Sequence, residues 1–75
     1  MIKLVWERWP KPSGIWLRVQ CGHDNGAITP TGLREEMLIP VQEWTVQHNC
    51  GQRMSFDLWR FDTELQVTAF LLRWT

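Results

Sequence analysis

The feature that most constrains this chain is its punctuation. Pro10, Pro12, Ser13 and Gly14 form one break, Gly22 to Gly26 a second, and Pro30 with Gly32, Pro40, Cys50-Gly51-Gln52 and Asp62-Thr63 mark the rest. Proline fixes φ and removes an N–H, while glycine admits the positive φ that other residues avoid, so regular structure is expected to stop or turn at these points. Asp24-Asn25-Gly26 has the composition of a turn of the kind that needs φ > 0. There is no internal repeat, low-complexity stretch or linker.

Between the breaks the hydrophobic period is mostly two, the mark of half-buried strands. Ile2, Leu4 and Trp6 alternate with Lys3 and Glu7; Ile15, Leu17, Val19 and Cys21 alternate with Trp16, Arg18 and Gln20. Trp44, Val46 and His48 alternate with Glu43, Thr45 and Gln47, and Met54, Phe56 and Leu58 alternate with Arg53, Ser55 and Asp57. Thr31 to Leu38 reads as a short helix: Thr29 is placed to cap it, Pro30 sits where proline is tolerated, and Leu33 and Met37 make an i, i+4 pair. Pro40 disfavours helix at Ile39, which sets the expected end. The C-terminal run is ambiguous. Leu65, Val67, Ala69 and Leu71 fit a strand, whereas Val67, Leu71 and Trp74 fit a helix; the β-branched pair Val67-Thr68 favours strand. The expectation is a single domain over residues 1–75, α+β and mostly β. It has a small five-stranded, mainly antiparallel sheet or barrel with one short helix, in the order β-β-α-β-β-β.

Size makes such a fold marginal. A compact chain of this mass exposes roughly 4,900 Å² against roughly 13,000 Å² unfolded, so apolar burial barely exceeds the ordering entropy. A metal, a Cys21–Cys50 disulfide or a partner surface would help. Eight Lys plus Arg balance eight Asp plus Glu, and hydrophobic residues make up 44%, which argues against disorder and against nucleic-acid binding driven mainly by phosphate neutralisation. No apolar run approaches the ~18 residues of a membrane span. Lys3, Glu7 and Arg8 interrupt the first residues, so no secretory signal is expected and the cytoplasm is the default compartment.

Six Trp and three Phe are a large aromatic load for this length. If the aliphatic sides of the strands turn inward, Ile2, Leu4, Trp6, Leu17, Val19, Val46, Phe56, Leu58, Val67 and Leu71 make the core. The opposite side then carries Trp16, Trp59, Phe61, Phe70 and Trp74 around Arg18. Trp and Arg dominate interface hot spots, so Trp16, Arg18, Trp59, Phe70 and Trp74 are the expected binding residues. Coverage of both sides of the sheet is the alternative, with these aromatics as core.

Cys21-Gly22-His23 and His48-Asn49-Cys50 form two mirrored pairs of soft ligands. On extended strands i and i+2 share a side, so Cys21, His23, His48 and Cys50 would complete a tetrahedral zinc site if strands 15–21 and 41–48 ran parallel. Antiparallel neighbours would hold the pairs about 20 Å apart. The ordinary alternative is a buried Cys21, a turn thiol at Cys50 and surface histidines.

Catalytic motifs are absent: there is no phosphate loop, no nucleophile elbow and no His pair at helical spacing. A non-enzymatic protein-interaction module is therefore expected, pairing with itself as a homo-oligomer or docking on another protein. Its size suits an accessory or inhibitor protein of a phage or mobile element. Zinc stabilisation is one alternative. Single-stranded nucleic-acid binding by the same aromatics with Arg18, Arg60 and Arg73 is another.

Overall fold

The structure, a computed structural model, describes residues 3–75. Ile2, expected at the start of the core, lies outside the described residues. The chain order is β1 (Lys3–Trp9), β2 (Ile15–Gly22), β3 (Ile28–Thr29), α1 (Glu35–Gln47), β4 (Gln52–Ser55), β5 (Leu58–Phe61) and α2 (Glu64–Trp74). The strands make one open antiparallel sheet in the order β1-β2-β5-β4, with β3 on the far end of β2. Both helices pack on one side of it. The folded surface of 4945 Å² is that of a compact body of this mass.

The hairpins follow the punctuation. The 10–14 break joins β1 to β2 through Ser13 (φ 61°) and Gly14 (φ 127°), and sets Trp9 opposite Trp16. The second hairpin closes over Asp24-Asn25-Gly26, with Gly26 at φ 89° and the His23 N–H donating to the Ala27 carbonyl at 2.8 Å. A third, joining β4 to β5, turns at Phe56-Asp57.

Three expectations are corrected. The helix starts at Glu35, not Thr31, and continues through Pro40 to Gln47, with His48 as its C-cap, so the strand expected over 41–48 does not form. Pro40 and Glu36 are exposed, so the carbonyl that Pro40 cannot engage faces water. Continuing buries Leu38, Val41 and Thr45 at i, i+3 and i+7, with Trp44 packed beside them. Thr29, expected as the cap, lies in β3, and Arg34 occupies the N-cap position without a side-chain cap bond.

The C-terminal run is a helix as well. Thr63 caps it by accepting from the Gln66 N–H at 3.2 Å, and the Gln66 side chain accepts from the Asp62 N–H at 2.8 Å. Thr63-Glu64-Leu65-Gln66 has the residue types of a capping box, with Gln66 reaching back one residue past the cap to Asp62. Finally, the single strand expected over 53–58 is a hairpin, with a bulge between Arg53 and Ser55. The strand count survives because β3 and the β4–β5 hairpin replace the two segments that became helix.

The core consists of Leu17, Val19, Leu38, Val41, Cys50, Trp59, Phe61, Val67 and Phe70, with Leu4, Trp6, Trp44 and Trp74 packed against it. Its aromatic part is a set of edge-to-face contacts. Trp6 meets Trp59 at 5.2 Å and Phe70 at 4.7 Å between ring centroids, and Phe61 meets Phe70 at 4.9 Å. Such pairs add to the area they bury. Val46 and Phe56, expected inside, are exposed, because a 3.6-residue period and a turn replaced the period of two there.

Candidate functional site

Strand register divides the expected binding residues between two sides of the sheet. Leu17 faces Trp59 across β2–β5, so Trp59 shares the inner side with Leu17 and Val19 and is fully buried. Phe70, on α2, closes over the same side and is also fully buried, and Trp74 is half-buried there. Trp16 and Arg18 alternate with Leu17 and so point to the open side. The five residues therefore form no common surface. Three belong to the helix-covered side and two to the open one.

The open side carries a site of its own. Trp9 and Trp16 are directly opposite in the β1–β2 register, and Arg18 stands next along, between Glu7 on β1 and Leu58 on β5. Each indole has a cation over it: the Arg18 guanidinium lies 4.9 Å from the Trp9 ring and the Lys11 ammonium 4.9 Å from the Trp16 ring. Arg18 Nε also donates to Asp57 Oδ2 at 3.1 Å, which locks the guanidinium in place.

Below it, Arg60 Nε donates to the Ser13 carbonyl at 3.0 Å and Arg60 Nη1 to Asp62 at 3.0 Å. The 10–14 loop is thereby held against the sheet, and the Trp16 indole N–H donates to the Pro12 carbonyl at 3.3 Å. A cleft of about 240 Å³ opens between Trp9, Lys11, Arg18, Asp57 and Leu58. Trp9 was not among the expected site residues. Its signal was legible: the same alternation that turns Trp6 inward turns Trp9 outward, and a hairpin through residues 10–14 must set it beside Trp16.

The soft ligands are dispersed. Cys21 is fully buried on β2, between Leu4 of β1 and Thr29 of β3. His23 Nε2 pairs with Thr29 Oγ1 at 3.0 Å. The His48 ring stacks on Trp44 with 4.6 Å between centroids, and its Nδ1 lies 3.0 Å from the Trp44 carbonyl oxygen. Cys50 Sγ donates to the Gln66 carbonyl at 3.2 Å, and burial pushes its thiol up from the ordinary range. Both thiols are free.

The parallel strand pair that would have gathered these residues does not form, since 41–47 is helical and His48 caps it. Among the described residues no group of three or more His, Cys, Asp or Glu side chains is placed to hold a metal ion. Nor is any helix long and apolar enough to cross a membrane.

Of the arginines expected for strand binding, Arg18 and Arg60 share the open side. Arg73 lies on α2 with its guanidinium 4.2 Å from the Trp74 ring. The geometry of the open side is thus a pre-ordered aromatic–cation cluster around a cleft of side-chain size. In comparisons with known proteins, no family profile, no curated protein and no solved structure matches the chain.

Proposed function

We propose that this chain is a small non-catalytic protein-binding module whose working surface is the open side of the sheet. Its partner is a protein that seats one apolar or aromatic side chain, flanked by a carboxylate, in the Trp9–Arg18 cleft. The observation that carries this is the cleft. Its volume of about 240 Å³ falls below the ~300 Å³ at which small-molecule sites begin and suits a single inserted side chain.

The walls support the same reading. Trp and Arg are the residues most enriched in interface hot spots, and here both are held in place before any partner arrives. Lys11 at the rim has no carboxylate partner among the described residues, which leaves its charge for the partner's acid. An accessory or inhibitor protein of this size acts by occupying a partner's surface, and a rigid Trp–Arg patch is suited to that.

Selection of a displayed random-peptide library on the immobilised protein tests the proposal. Enriched peptides are expected to pair an acidic residue with an apolar or aromatic one, and to lose at least tenfold in affinity against Trp9→Ala and Arg18→Ala variants, as for hot-spot truncation. Enrichment indifferent to both variants would overturn the assignment of the surface. Anisotropy of labelled single-stranded oligonucleotides at low salt supplies the other arm: tight binding lost in Trp16→Ala would mean that Trp9 and Trp16 stack bases instead.

A further inference from the structure

The two edges of the sheet are unlike. The β4 edge is four residues long and bulged between Arg53 and Ser55, which blunts it against pairing. The β1 edge is seven residues long, regular in register throughout, and pairs only with β2 among the described residues.

Its free hydrogen-bonding groups can be assigned. The Val19 N–H donates to the Asp57 carbonyl at 2.9 Å, toward β5 and away from β1. Val19 and Trp6 are therefore a non-hydrogen-bonded pair of the β1–β2 ladder. By alternation, the N–H and C=O groups of Leu4, Trp6 and Arg8 point outward from the edge.

Side chains along this edge are self-complementary. Lys3 and Glu7 stand two residues either side of Val5, all three on the open side. An antiparallel copy centred on Val5 sets each Lys3 against the partner's Glu7 and pairs each Leu4 with the partner's Trp6. Leu4 and Trp6 then become the hydrogen-bonded pairs, joined by four backbone bonds. Lys3 and Glu7 become non-hydrogen-bonded pairs, in which facing side chains approach most closely.

On the helix-covered side, a groove of about 410 Å³ runs beside the same edge, lined by Lys3, Leu4, Val5, Trp6, Trp74 and Thr75. Leu4, Trp6 and Trp74 are only half-buried there. The groove would receive the partner's Leu4 and Trp6.

We propose that two copies of this chain pair through β1 about a two-fold axis at Val5, joining their sheets into one. The edge is distinct from the Trp9–Arg18 cleft, so this pairing and the partner-binding proposal stand or fall separately. A ladder this short sits at the small end of specific interfaces, so the dimer is expected to be weak and concentration-dependent.

Sedimentation velocity over a concentration series tests it, with circular dichroism confirming that each variant is folded. Wild type is expected to shift from monomer to dimer. Lys3→Glu and Glu7→Lys should each weaken the dimer by about tenfold, since each sets like charges opposite each other twice. The double reversal, Lys3→Glu with Glu7→Lys, restores complementarity and should return the dimer toward wild-type strength. A wild type that stays monomeric up to about 1 mM, or a dimer indifferent to both single reversals, would overturn the proposal.

Discussion

Trp59 and Trp16 sit on neighbouring strands of one sheet, one register position apart, and have opposite surroundings. Trp59 is sealed between Trp6, the Arg53 guanidinium at 5.2 Å and the two helices, with no exposed surface. Trp16 lies half-buried on the open side, under the Lys11 ammonium and tied to the Pro12 carbonyl. The same residue type therefore serves stability in one place and is available for recognition in the other. Parity along the strand decides which, and what makes parity matter is that both helices cover the same side. Aromatic content by itself says nothing about which role a given tryptophan takes.

This contrast can be broken from the buried side first. Trp59→Ala removes the largest fully buried side chain and should cost about 3–5 kcal/mol, most of what a domain of this size has, leaving it largely unfolded in a thermal melt. Gly51→Ala probes the same packing without deleting anything. Gly51 has φ 90° and a Cβ there would sit 2.4 Å from the Phe61 ring, so a loss of about 2–3 kcal/mol in urea unfolding is expected. Thr63→Ala loosens the helix that covers this side by deleting its cap. About 1 kcal/mol is expected, seen as a melting midpoint lower by about 4–8 °C.

Trp16→Ala, on the open side, should cost under about 1 kcal/mol and leave the melt close to wild type. If Trp16→Ala proved as damaging as Trp59→Ala, the open side would be structural, and the division of roles would fail.

The smallest effect concerns the ion pairs that tie the layers together. Arg8 holds both carboxylate oxygens of Glu64, at 2.9 and 2.6 Å, and Arg53 holds both of Glu35, at 2.9 and 2.7 Å. Hydrogen bonds from these guanidiniums lower the carboxyl pKa values of Glu64 and Glu35 from the ordinary glutamate range. A carboxyl whose folded value lies below its unfolded value contributes stability above the unfolded value, and loses it as pH falls through the folded one. The urea midpoint should therefore drop on acidification below about pH 4, and Glu64→Gln should flatten part of that slope. Added salt should shrink the Arg8–Glu64 part of the effect most, since both of its side chains are exposed, whereas the Arg53 side chain is largely covered.

Much of this fold was legible in the residues. The break at 10–14 predicted the first hairpin and Asp24-Asn25-Gly26 a turn, though not the strand β3 that makes that turn a hairpin, and the alternation in β2 placed Leu17 and Val19 inside. Of the five runs that alternate, two fall in α1 and α2, so the antiparallel sheet keeps five strands only through β3 and the β4–β5 hairpin. Two helices were harder to see. In α1 the proline suggested an end, yet Pro40 lies on the exposed side, where its missing N–H costs least. In α2 the hydrophobic pattern satisfied both periods, and the signal that separates them is the cap, Thr63 with Gln66 three residues on. The candidate site was legible in part. Alternation in β2 puts Trp16 and Arg18 on the open side, and alternation in β1 puts Trp9 beside them. Trp59, Phe70 and Trp74 lie on the helix-covered side instead, because the parity of β5 and the helix over 64–74 depend on packing.

By itself, the amino-acid sequence determined where the chain turns, which short stretches alternate, and that no catalytic motif is present. These follow from φ preferences and from side-chain period, which act within a few residues. Tertiary structure alone decided that residues 41–47 wind into a helix, that both helices lie on one side of the sheet, and so which tryptophans are hidden. Those outcomes depend on burying Leu38, Val41, Val67 and Phe70 against strands distant in sequence, an energy that no local pattern contains.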